Sequence, residues 1–152
     1  FVNETCRGLF EDLKDIKVTS FDNKNNYKWM VVVKKIEVHS LCAHHFQNFD
    51  GYCHIAYIPG KKVVGLSKFS RIVNHFARRP QTQEFLVQEI FDFLKQILDT
   101  EDVAISMDCE HNCMKVRGVE EPCASTATAL MWGLFLHSDA TRNEFFHHIS
   151  QG

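Results

Sequence analysis

Val63-Val64-Gly65-Leu66-Ser67-Lys68-Phe69-Ser70-Arg71-Ile72-Val73-Asn74-His75-Phe76-Ala77 is the stretch in which the hydrophobic period of the chain changes. Upstream of it apolar residues alternate. After Gly65 they recur at Phe69, Ile72, Val73, Phe76 and Ala77, three or four residues apart. Alternation lines one face of a strand, whereas the longer spacing lines one stripe of a helix. The stretch therefore reads as a strand giving way to an amphipathic helix. Towards the N-terminus, Tyr52 to Ile58 alternates as a strand that Pro59-Gly60-Lys61-Lys62 breaks and Val63-Val64 extends. Gln47-Asn48-Phe49-Asp50-Gly51 has turn composition. Tyr27 to Leu41 reads as a long strand through Met30-Val31-Val32-Val33, Ile36 and Val38. Asp22 to Asn26 is turn-like, and Val2 to Leu13 reads as part of a helix. Towards the C-terminus, Pro80 ends the first helix or starts the next. Phe85, Leu86, Ile90, Phe93, Leu94, Ile97 and Leu98 mark a second, longer helix. Asp102 to Met107 and Ala124 to Leu136 read as strands, and Thr141 to Ile149 as a short closing helix.

The order strand, strand, helix, helix, strand, strand predicts an α+β fold. Its sheet is antiparallel and four-stranded (ββααββ), with two helices on one face. Such a sheet leaves two open edges, and assembly through them is a natural way to protect them.

With 152 residues, no repeats and no linker-like stretch, the chain is expected to be a single domain over residues 1–152. A formal net charge of -2 offers no global field for nucleic acid, so any anion site must be local. No apolar run approaches the ~20 residues that span a bilayer, and Phe1-Val2-Asn3-Glu4 does not read as an export signal. Six cysteines without such a signal are expected to be reduced thiols in a cytoplasmic protein.

Two cysteines lie close to histidines. Cys42-Ala43-His44-His45 is answered far downstream by His111-Asn112-Cys113. Thiolate and imidazole are zinc ligands, and a turn after a strand can aim Cys42 and His45 at one ion. With Cys113 as third ligand the fourth position stays open, as in catalytic sites. With Cys109 as a fourth ligand the site would be closed and structural. A second candidate site is Gly65-Leu66-Ser67-Lys68, where helix N–H groups favour anions and Lys68 and Arg71 add charge. The plain alternative is an N-terminal Ser with solvated basic neighbours. Arg78-Arg79 and the pair Lys115 and Arg117 are further basic clusters. Gln83-Glu84 falls in the first turn of the second helix. A carboxylate there either complements the helix dipole or accepts the N1–H and 2-amino hydrogens of guanine.

Together these runs resemble the GTP cyclohydrolase I family. They are Cys42-Ala43-His44-His45, His54-Ile55-Ala56-Tyr57-Ile58-Pro59, Val64-Gly65-Leu66-Ser67-Lys68, Arg71-Ile72-Val73, Phe76 to Glu84, and His111-x-Cys113-Met114-x-x-Arg117-Gly118-Val119. The motifs follow the family's order and spacing across essentially the whole chain. The resemblance implies the tunnelling fold and a decamer of two pentamers with active sites at subunit interfaces. It implies Zn2+ on Cys42, His45 and Cys113, activating water against C8 of the guanine of GTP. It implies His44 as the acid at N7, His111 in ribose opening and Ser67 in the later sugar rearrangement and in phosphate binding. Lys68, Arg71, Arg117 and Lys115 would contact the triphosphate, and Gln83 and Glu84 would anchor the guanine. Formate and 7,8-dihydroneopterin triphosphate would be the products, at the entry to folate, other pterins or 7-deazapurines.

The chain departs from the family at Ala43, where a glutamate is usual, and at Phe85, where a basic residue is usual. It also lacks most of the family's N-terminal helical segment with its Thr-Pro-x-Arg motif. These departures leave three alternatives: an enzyme that stops at the formamidopyrimidine intermediate, an impaired zinc- and GTP-binding homologue, and a nitrile reductase of the same fold. The last uses a nucleophilic cysteine and nicotinamide, against which the three zinc ligands argue.

Overall fold

The computed structural model describes residues 1–152. A short helix α1 (Val2–Thr5) and two 3-10 turns (Arg7–Leu9 and Leu13–Asp15) open the chain, where one longer helix was expected. The strands are β1 (Ser20–Asp22), β2 (Val31–Cys42), β3 (Asn48–Tyr57), β4 (Lys62–Val64), β5 (Pro80–Gln81), β6 (Val103–His111) and β7 (Thr126–Met131). The remaining helices are α2 (Ser67–Ala77), α3 (Gln83–Ile97), α4 (Asn112–Lys115), α5 (Leu134–His137) and α6 (Asp139–Ser150). No helix is long and apolar enough to cross a membrane.

The chain is a mixed α+β protein. Its main sheet runs in the order β5-β2-β3-β6-β7. The β2–β3, β3–β6 and β6–β7 pairings are antiparallel, as expected. The sheet carries a fifth strand that the sequence did not announce. After α2 the chain passes beside the end of β2, so that Leu41 pairs with Pro80 and Cys42 with Gln81 in a parallel register. Val63-Val64 does not extend β3 but belongs to β4, which pairs with β1 in a separate two-stranded sheet.

The turn expected at Gln47–Gly51 is instead the first part of β3. The reversal occurs earlier, because the N–H of Cys42 donates to Gln47 O and the N–H of Phe46 donates to Cys42 O. Phe46 takes φ of 52° to close it. Gly51 sits in the strand for a different reason than a turn. A Cβ there would lie 2.0 Å from the Asp108 carbonyl oxygen, so only glycine allows β3 and β6 to approach this closely. The strand expected over Ala124–Leu136 ends at Met131. Gly133 turns the chain at φ of 61°, and the Asp102 carboxylate accepts the N–H of Leu134 at 2.7 Å to start α5.

One face of the sheet carries the main core. Phe69, Ile72 and Val73 of α2 and Leu86, Ile90 and Leu94 of α3 pack on Val38, Phe49, Ile55, Val103, Ile105 and Met107. Each such side chain, fully removed from water, contributes roughly 1.5–3 kcal/mol. Part of the opposite face is covered as well, since Phe135 and Phe145 pack on Ala56 and Ala104. Further along, that face turns polar. Glu37, His39, Asp50, His54, Asp108 and Glu110 line a cavity of about 470 Å³.

Candidate functional site

Strand register builds the site. Phe49, near the start of β3, pairs with Ser40 of β2 on one side and with His111 of β6 on the other. Cys42 lies two residues beyond Ser40 and Cys113 two residues beyond His111, so both leave the sheet at the same end. The turn after β2 brings His45 round beside buried Cys42, and α4 presents Cys113 in its first turn. The Sγ atoms of Cys42 and Cys113 and an imidazole nitrogen of His45 all lie within 4.8 Å of one another.

This donor set can hold a metal ion. Burial, followed by the neighbouring Cys42 sulfur, holds the Cys113 thiol above its ordinary value, while Arg117 pulls the other way. Two thiolates this close would repel, and a divalent cation held between them would offset that repulsion and favour the deprotonated form of both. Two sulfurs and one imidazole are zinc-type ligands, and on a tetrahedral ion they would leave one position free. Cys109 lies outside this three-residue group and is buried on β6. Burial, then the nearby Asp108 and Asp50 charges, push its thiol up to about 12. The geometry thus favours the three-ligand set over the closed four-ligand one.

Around this group the structure gathers several of the expected residues. His44 is exposed next to His45, their ring centroids 6.2 Å apart. His111 stacks on Phe49 with centroids 4.7 Å apart and planes 12° from parallel. Its Nε2 lies 2.8 Å from Gln83 Oε1. Burial lowers its pKa below the ordinary value, and the Glu84 charge opposes this. Glu84 is exposed at the start of α3, where Thr82 caps the helix by accepting the Phe85 N–H at 3.3 Å. The Glu84 side chain borders a cavity of about 390 Å³ with Val87, Gln88, Thr128, Ala129 and Leu130.

Other expected residues are not joined to the group within this chain. Ser67 and Lys68 open α2, and Arg71 lines a separate cavity with Arg7, Glu11, Asp12, Asn74 and His75. Lys115 pairs with Glu110. Ala43, where a glutamate was expected, is exposed in the turn between Cys42 and His45. Phe49 and Thr128 were missed in the sequence. Phe49 lay inside a segment that reads as a turn, and Thr128 is one of several threonines in an apolar run.

The comparisons with known proteins bear on the family and the fold. A family model described as GTP cyclohydrolase I matches residues 1–150. A protein named GTP cyclohydrolase 1 from Shewanella baltica (strain OS185) is 47% identical over 148 residues, covering 97% of this chain and 68% of that protein. One of the same name from Sulfurihydrogenibium sp. (strain YO3AOP1) is 45% identical over 141 residues, covering 93% of this chain and 75% of that protein. Among solved structures, the archaeosine synthase QueF-Like in the apo form superposes with a TM-score of 0.56 at 15% identity, covering 68% of this chain and 93% of that one. That likeness speaks for the fold alone. With a family model over nearly its full length and relatives this similar, the chain belongs to the GTP cyclohydrolase I family.

Proposed function

We propose that the chain, as one domain of the tunnelling fold, hydrolyses the guanine ring of GTP at C8. It releases formate and rearranges the product to 7,8-dihydroneopterin triphosphate. The observation that carries this reading is the convergence of Cys42, His45 and Cys113 within 4.8 Å in a member of this family. Zn2+ held by these three side chains supplies a Lewis acid able to activate water near neutral pH.

The chain's own residues do the rest. His44, exposed beside the ligands, protonates N7 as the imidazole ring opens. His111 moves the proton needed to open the ribose. Ser67 serves the later rearrangement and, at the N-terminus of α2, binds phosphate. Lys68, Arg71, Arg117 and Lys115 neutralise the triphosphate. Glu84 accepts the N1–H and 2-amino hydrogens of guanine, a pairing that adenine cannot offer. The separate cavity that Arg71 of α2 lines supports a site completed between subunits, in the decamer of two pentamers that the resemblance implies.

The test is to incubate the zinc-loaded protein with GTP, separate the products by chromatography and oxidise a portion to fluorescent neopterin phosphates. Neopterin triphosphate is the expected product. A formamidopyrimidine with formate would limit the reaction to ring opening. Bound zinc and bound GTP without any product would reduce the protein to a binding homologue.

A further inference from the structure

Gln83 reads from sequence as a partner of Glu84 on the guanine, but its side chain is committed elsewhere. It is 1% exposed. Its amide nitrogen donates to the carbonyl oxygens of Thr126 at 2.8 Å and Met107 at 3.2 Å, and lies 3.0 Å from Thr128 Oγ1. Two carbonyl acceptors fix which end of the amide is NH2, because an oxygen turned towards them would meet only lone pairs. Oε1 must therefore face His111, 2.8 Å from its Nε2. A carbonyl oxygen can only accept, so Nε2 carries the hydrogen. In the neutral ring the lone pair is then left on Nδ1. Phe49 sets the plane of the same ring by stacking on it.

We infer that Gln83 is a positioning residue: it fixes the tautomer and orientation of His111 from behind and does not read the guanine. Glu84 alone, one residue on and exposed, is left to recognise the base. The inference rests on the proposed reaction for its kinetic consequences, whereas its structural half does not. The pairing resembles the logic of other catalytic histidines, whose useful nitrogen is set by the hydrogen bond the other nitrogen makes.

The test compares Gln83→Met, Phe49→Leu and Glu84→Gln in the zinc-loaded protein. Gln83→Met keeps the volume and removes the acceptor. It is expected to lower kcat by about 10²-fold, the scale of a misplaced acid or base, with KM for GTP within about threefold of the parent. Glu84→Gln is expected to do the reverse, raising KM by about tenfold or more as a charged hydrogen-bond acceptor is lost. A rise in KM with unchanged kcat in Gln83→Met would overturn the inference. Phe49→Leu leaves the amide in place and frees the ring, so it should lower kcat less than Gln83→Met does while KM holds. Should Gln83→Met fail to fold by circular dichroism, the spectra of the parent decide, and an Nδ1–H His111 there sinks the idea. Histidine-selective 15N spectra at a fixed pH, without GTP, give an independent reading. His111 should be protonated at Nε2 in the parent and shift towards the Nδ1–H form in Gln83→Met. If the parent made no pterin from GTP, the proposed reaction would fall, and these spectra would still decide the role of Gln83.

Discussion

Cys42 and Cys113 supply the two thiolates of one group, and His45 its imidazole. Replacing Cys42 with alanine is expected to abolish turnover and to take bound zinc from one per chain towards none. The chain should stay folded and able to bind GTP, because the core of α2, α3 and the sheet does not depend on the metal. Metal analysis with a thermal melt checks this, and unfolding of the variant would count the site as structural. His54 makes a separate prediction. Its Nδ1 accepts the backbone N–H of Lys35 at 3.3 Å, which requires that nitrogen to be unprotonated. Burial, then the charges of Lys34 and Lys35, hold its pKa below the ordinary 6.5, while Asp108 opposes them. The unfolded chain therefore binds the proton more readily. The stabilisation is complete above the unfolded value and is lost as pH falls through the folded one. Melting temperature should fall as pH drops from about 7.5 to about 5, and fall less in His54→Gln. An equal slope in that variant would remove His54 from the account.

Among the elements, β3 is the central strand on which both others of the site depend. It sets β2 and β6 in register, and Phe49 at its start carries the stack beneath His111. Gly51 is where this arrangement is most exposed to mutation. In Gly51→Ala the new methyl would meet the Asp108 carbonyl oxygen at 2.0 Å and the Cys109 Cα at 2.7 Å, both backbone atoms that cannot swing away. The β3–β6 pairing must open locally, at a cost of about 1–3 kcal/mol. Urea denaturation should show a lower midpoint with little change in slope, and a wild-type midpoint would mean that the strands can separate freely. Zinc affinity should weaken along with it, since Cys113 follows directly from β6.

At the scale of the whole molecule, the chain has surfaces that one copy does not cover. β7 has a strand partner on one side only, and β5 pairs with β2 only at Leu41 and Cys42. Trp29 is 74% exposed, Phe10 69% and Phe46 67%, the last in the turn between Cys42 and β3. Large apolar side chains and open strand edges in one protein favour association. Light scattering should give a mass that is a multiple of 17.6 kDa. A monodisperse single chain that still converts GTP would refute the shared site.

The sequence by itself determined the alternation of strands and helices, the two helices that cover the sheet, the candidate group of Cys42, His45 and Cys113, and the family. These are properties of period and of residue type at fixed spacing, which survive without coordinates. Tertiary structure decided the rest. It placed Gln47–Gly51 in a strand, because the reversal is closed by backbone hydrogen bonds between Cys42, Phe46 and Gln47 rather than by the asparagine and glycine that advertise a turn. It added β5, whose two residues pair only because α2 returns the chain to the end of β2. It also separated Gln83 from Glu84, neighbours with similar side chains and opposite fates. The helix they begin turns by about 100° per residue, so one faces the carbonyls of Met107 and Thr126 and the other faces solvent.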